Sequence, residues 1–193
     1  MSAVLGYEPL PNGTAPERVW LEAAGNHRLS PACKDELLAA LHDLRPRTGA
    51  RLVLFGADVA ALGEAERSAL MRRVAFVPAN GGLMSSLNAW ENISLPLAYH
   101  APHELPGAAR EVRSLLERLG GVGEDLLAKL PEHMTLYERR LAAYVRALLE
   151  SPELLVMECV GAGLGPTKRT RAARFAEVYQ ARRPGGTFVQ LDA

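Results

Sequence analysis

The chain has 193 residues, 48% of them hydrophobic and 23% charged, which is enough to bury a substantial core in one globular domain and excludes a disordered tail. Its 22 Lys and Arg balance 22 Asp and Glu, so no basic field points to nucleic acid as a partner. The two cysteines, Cys33 and Cys159, lie far apart in the sequence, which suggests neither a disulfide framework nor a zinc site and fits a reducing, cytosolic setting. The amino terminus lacks a basic start followed by a long apolar run, and no stretch approaches ~20 uninterrupted apolar residues. Membrane contact is therefore expected only through a partner.

In chain order, a Pro/Gly-rich lead-in precedes a strand-like run at Val19–Ala23, which Gly25 and Asn26 end with turn chemistry. The spacing of Leu37, Leu38 and Leu41 predicts a helix over about Lys34–Leu44. A β-like run at Arg51–Phe55 stops at Gly56, a helix is predicted over Ala65–Arg72, and Val74–Val77 is a short apolar strand stopped by Pro78. Val112, Leu115, Leu116 and Leu119 form one stripe of a helix over Gly107–Leu119, closed by Gly120 and Gly121. A helix over Leu136–Glu150 is expected to turn Leu141, Val145, Leu148 and Leu149 inward and Arg139, Arg140 and Arg146 outward or toward a partner.

Leu154–Met157 is a continuous apolar run of the kind found in parallel strands covered on both faces. The cluster Lys168, Arg169, Thr170 and Arg171 reads as a solvated helix start, a last helix is predicted over about Thr170–Arg182, and Thr187–Leu191 is a last strand. Strands alternating with helices predict an α/β fold with a parallel sheet interrupted by a helical insertion. His100, His103 and Glu104 lie close in sequence, but Pro102 between them breaks helical metal-ligand geometry, so no metal site is expected there.

The stretch Pro152–Pro166, PELLVMECVGAGLGP, carries the most information. It resembles the Walker B and D-loop region of ABC-type ATPases, roughly P-[ED]-L-L-[hydrophobic]-x-D-E-P-x-x-G-L-D-P. The family's magnesium-holding Asp falls on Glu158, its catalytic Glu on Cys159, the following Pro on Val160 and the D-loop Asp on Gly165. Residues 56–97 resemble the family's segment through the Q-loop, whose glutamine falls on Ala79, and the run Gly82, Leu83, Ser86, Leu87, Trp90, Glu91, Asn92, Leu95, Pro96 and Leu97 follows it. The wording of that run is closer to lipid-transport ATPases of the Mla/Mce type than to sugar importers. The signature motif L-S-G-G-Q falls on Met134, Thr135, Leu136, Tyr137 and Glu138, so Leu136 and Tyr137 are expected to fill the gap that two glycines leave for a phosphate, and Thr135 to cap the helix.

The phosphate cradle, G-x-x-G-x-G-K-[ST] in the family, falls on Arg28 to Glu36 with Lys34 at the lysine. Every loop glycine is missing, Pro31 removes an N–H donor, and Asp35 and Glu36 bring negative charge. A micromolar ligand is held by about 8 kcal/mol. Losing two charge-assisted hydrogen bonds at ~1.5–3 kcal/mol each removes most of the margin over millimolar binding.

The resemblance implies a P-loop NTPase, RecA-like ABC-type nucleotide-binding domain with an inserted helical subdomain, its core at about 15–78 and 151–193 and the subdomain at about 79–150. It also implies ATP and Mg as weakly held ligands at Lys34, Asp35 and Glu158, and a partner face at Leu83, Leu87, Trp90, Glu91 and Asn92. The partner would be a membrane permease subunit, a second ATPase subunit, or both, with the protein cytoplasmic at the inner face of the membrane. No histidine-switch counterpart follows Thr187–Leu191, where only Asp192 and Ala193 remain. The expected role is a non-catalytic or weakly active subunit of a membrane, on this wording lipid, transport complex. Two alternatives stay open: an ATP-hydrolysing subunit that uses Lys34 and Glu158 with groups from a partner, and a soluble regulatory or scaffolding protein.

Overall fold

A computed structural model describes residues 3–10, 18–22, 25–29, 32–46, 48–120 and 125–192. Eight strands and seven α-helices occupy them: β1 (Ala3–Pro9), β2 (Val19–Glu22), β3 (Gly25–Leu29), α1 (Lys34–Asp43), β4 (Ala50–Leu54), β5 (Ala57–Asp58), α2 (Glu64–Met71), β6 (Val74–Val77), α3 (Ala89–His100), α4 (Leu105–Arg118), α5 (Asp125–Ala128), α6 (Leu136–Leu149), β7 (Leu154–Glu158), α7 (Pro166–Arg182) and β8 (Thr187–Leu191).

The strands form two four-stranded sheets, ordered β2-β1-β4-β5 and β3-β8-β7-β6. The first is antiparallel, with Leu5 opposite Leu54 and Tyr7 opposite Leu52. The second is parallel, so β7 lies between β6 and β8. The four residues Leu154, Leu155, Val156 and Met157 are each 0% exposed. Their two-residue period sends Leu154 and Val156 into the core shared with α1 and the antiparallel sheet, and Leu155 and Met157 into the core shared with α3, α4, α6 and α7. That double burial is why β7 reads as unbroken apolar sequence.

Strands β1, β3 and β5 depart from the sequence expectation. The lead-in contains β1, which pairs with both β2 and β4. Gly25 and Asn26, expected as a turn, begin β3, and Arg28 and Leu29, expected in the phosphate loop, complete it. The strand lies at the sheet edge beside β8, and its polar, half-exposed residues carry no apolar alternation to announce it. The helix expected at about Thr170 begins at Pro166 instead, in the first turn where proline's missing N–H costs nothing.

In the helical layer, Asn88 accepts a hydrogen bond from the Glu91 N–H while the Glu91 carboxylate accepts one from the Asn88 N–H, a reciprocal cap that starts α3. Thr135 and Glu138 start α6 in the same way. Gly81 and Gly82, with φ of 93° and 57°, turn the chain after β6 back onto α6. A Cβ at Gly81 would lie 2.7 Å from the Arg139 carbonyl oxygen, so this close approach requires glycine.

Candidate functional site

The parallel topology brings the start of α1 and the end of β7 together. Lys34 Nζ lies 3.4 Å from Glu158 Oε1, with side-chain exposures of 18% and 20%. The same ammonium is 4.0 Å from Cys159 Sγ. The other Glu158 oxygen, Oε2, accepts the Ala79 N–H at 3.0 Å, so the residue at the Q-loop glutamine position contributes its backbone. Cys159 takes a left-handed φ of 50° as the chain leaves the strand, and its N–H donates to the Leu191 carbonyl at 2.7 Å. The thiol therefore sits beside Lys34 where the resemblance expects a carboxylate.

Asp192 lies close enough for its carboxylate to feel the charge of Lys34. Burial pushes its carboxyl up, but hydrogen bonds from Gln190 and Arg28 and the charges of Arg28 and Lys34 outweigh that and hold it below the usual carboxylate range. Asp35 is exposed in the first turn of α1, where negative charge complements the helix dipole. Ser30 and Pro31, part of the expected phosphate cradle, lie outside the described residues.

Two expectations about α6 are corrected. Tyr137 does not fill the signature gap: it is 2% exposed, its hydroxyl donates to the Leu119 carbonyl at 2.6 Å, and its ring stacks on Phe175. Leu136 is the residue that faces the β7–α7 loop, where a Cβ on Gly163 would come within 3.2 Å of Leu136 Cδ2. Arg140 points inward as well, 4% exposed, and its guanidinium donates to the carbonyls of Ala79, Val160 and Ala162. Burial lowers its pKa, while the neighbouring Cys159 and Glu158 pull it back up. The signal was present in the sequence, because residues 137, 140, 141 and 144 share one face at helical spacing.

The expected partner residues separate. Asn92 is 0% exposed and faces inward: its Oδ1 accepts the Met84 N–H, and its Nδ2 donates to the carbonyls of Met84, Leu87 and Asn88. Leu83 and Trp90 pack partly against the helical core, Leu87 is half-buried and Glu91 is exposed. Met84, next to Leu83, is 50% exposed, and Tyr99, near the end of α3, is 79% exposed. A 390 Å³ cavity is lined by Phe76, Leu95, Pro96, Tyr99, Arg146 and Glu150, among others. Burial pushes the Glu150 carboxyl up against the pull of Arg146 and His100.

The residues suit part of a magnesium–nucleotide site. Lys34 could meet a terminal phosphate and Glu158 the water shell of a magnesium ion, but each is the other's partner here, so binding must open their contact. Cys159 has no carboxylate with which to orient an attacking water. Among the described residues, no three His, Cys, Asp or Glu side chains group to hold a metal ion, and no helix is long and apolar enough to cross a membrane.

This arrangement, a parallel sheet flanked by an antiparallel sheet and a helical layer, with α1 meeting the end of β7, is the fold of ATP-binding-cassette ATPase domains. Among solved structures it is similar to cbiO1 from Clostridium perfringens, part of the ABC transporter complex cbiONQ, with a TM-score of 0.74 and 16% identity, covering 100% of this chain and 79% of that one. It is also similar to the ATP-binding cassette MJ0796, solved as a dimer bound to ADP and Pi, with a TM-score of 0.73 and 18% identity, covering 99% of this chain and 86% of that one.

Among curated proteins, the methionine import ATP-binding protein MetN of Xanthomonas campestris pv. campestris is 29% identical over 167 residues, 84% of this chain and 47% of that protein. The lipoprotein-releasing system ATP-binding protein LolD of Pseudomonas syringae pv. tomato is 32% identical over 126 residues, 65% of this chain and 54% of that protein. The chain spans about half the length of these curated relatives. No protein-family model matches it.

Proposed function

We propose that the protein is an ATP-binding-subunit-like component of an ABC transport complex, with a degenerate nucleotide site that leaves it non-catalytic or weakly active. The observation that carries this reading is the Lys34–Glu158 contact at 3.4 Å with the Cys159 thiol 4.0 Å from the same ammonium. The two groups that would share phosphate and magnesium neutralise each other, and a thiol takes the water-orienting position. ATP and Mg would bind weakly at Lys34 and Glu158, with Asp35 nearby on the first turn of α1. On this reading the protein is one domain, with core at about 15–78 and 151–193 and helical subdomain at about 79–150.

The partner would be a membrane permease subunit, a second ATPase subunit, or both, met through the surface around Leu83, Leu87, Trp90 and Glu91 with the exposed Met84 and Tyr99. The protein would work in the cytoplasm at the inner face of the membrane. A lipid-type cargo is supported by the wording of residues 82–97 and by the similarity to a lipoprotein-releasing subunit. The similarity to a methionine-import subunit supports a small-solute cargo instead.

One geometric observation favours the ATP-hydrolysing alternative: Lys34 and Glu158 are close enough to contact one phosphate and its metal together. Calorimetric titration with Mg-ATP, then turnover with and without the co-purified permease, separates the readings. Weak or absent binding and no turnover are expected. Micromolar binding lost in Lys34→Ala, with turnover, would establish the working ATPase, and failure to co-purify with any membrane subunit would favour the scaffold.

A further inference from the structure

Arg140 lies on the buried face of α6, yet the three hydrogen bonds of its side chain leave that helix. Nε donates to the Ala79 carbonyl at 2.6 Å, after β6. Nη1 donates to the Ala162 carbonyl at 2.6 Å and the Val160 carbonyl at 3.3 Å, after β7. Ala79, held by its carbonyl, uses its N–H to hold Glu158 Oε2 at 3.0 Å. A planar guanidinium can span carbonyls from two separate loops, whereas an ammonium offers a compact point charge without that fork.

We propose that Arg140 is a positioning residue that fastens the loops after β6 and β7 to α6, and through Ala79 sets the Glu158 carboxylate and keeps the Cys159 thiol covered. Any displacement of α6 against the parallel sheet stretches these bonds, so the helical layer and the Glu158 carboxylate move as one unit. The clamp stands on geometry alone. Its consequence for nucleotide rests on the reading of the Lys34–Glu158 site given above.

The test compares the chain with its Arg140→Met and Arg140→Lys variants. Site-resolved labelling of Cys159 by a disulfide reagent is expected to accelerate about tenfold or more in Arg140→Met, the equivalent of losing one hydrogen bond to a charged group, and by less in Arg140→Lys. The Ala79 amide resonance followed by NMR is expected to move in Arg140→Met and to return toward wild type in Arg140→Lys. A folded Arg140→Met with the wild-type labelling rate and Ala79 amide resonance would overturn the proposal.

Should Arg140→Met fail to fold, hydrogen exchange of the wild type decides. The Ala79 and Ala162 amides are expected to share one opening, and protection differing by more than about tenfold would overturn the clamp. None of these readouts uses nucleotide. A changed thiol rate together with micromolar Mg-ATP binding and turnover would therefore uphold the clamp while sinking the degenerate-site reading.

Discussion

The ammonium of Lys34, at the first residue of α1, lies 3.4 Å from Glu158 Oε1, at the last residue of β7. The residues are 124 positions apart in sequence, and the parallel sheet makes them neighbours. With side-chain exposures of 18% and 20%, the pair is shielded more than a surface ion pair and less than a buried one. A double-mutant cycle with Lys34→Met and Glu158→Gln is expected to give a coupling of about 1 kcal/mol, between the surface and buried limits. Denaturant unfolding of the four proteins measures it, and a coupling indistinguishable from zero would remove the pair as an obstacle to ligand entry.

Glu138 gives a pH dependence with a defined sign. Burial pushes its carboxyl up, but hydrogen bonds from Lys129 and Thr135 outweigh this and bring its pKa below the ordinary value. A carboxyl depressed in the folded state adds stability that is complete above the unfolded pKa of about 4.3 and is lost as pH falls through the folded value. The stability difference between wild type and Glu138→Gln is therefore expected to be constant near neutrality and to shrink below about pH 4. A difference independent of pH would contradict the assignment.

Tyr137 separates the two readings of the signature position. Tyr137→Phe removes the hydroxyl that donates to the Leu119 carbonyl at 2.6 Å and is expected to cost about 1–2 kcal/mol. Because the ring is turned into the core, any Mg-ATP affinity should be the same in Tyr137→Phe as in wild type. Leu136→Ser, on the side facing Gly163, is the substitution expected to alter it. Thermal unfolding and calorimetric titration report the two effects separately.

Asn92→Ala is expected to destabilise the protein by about 3 kcal/mol, because the Met84 N–H and three carbonyls lose their side-chain partner inside the helical layer. Glu91→Ala, in the exposed α3 cap, should cost about 1 kcal/mol. Equal losses in denaturant unfolding would argue that Asn92 is not the internal clamp of the loop at Met84–Asn88.

Much of the fold was legible because burial leaves a period in the sequence. β6 and β8 lie at their expected residues, β7 runs one residue beyond its expected end, and α4 and α6 follow the expected stripes. β3 was not legible, since a polar edge strand takes its identity from pairing with β8 and carries no pattern of its own. Nor was the direction of Arg140 and Asn92. Polar residues are ordinarily assigned to the surface, and these two lie inside because carbonyls from other segments converge on them.

The sequence by itself determined the α/β class, most of the helices and central strands, and which residue types stand at the positions where the resembled motifs have others. These depend on residue identity and on local period. Only the tertiary structure decided that Lys34 pairs with Glu158, that Tyr137 turns inward while Leu136 meets the β7–α7 loop, and that Arg140 ties two loops to α6. Each of those outcomes is a competition among partners distant in sequence, settled by which groups the packed sheets and helices bring within hydrogen-bonding distance.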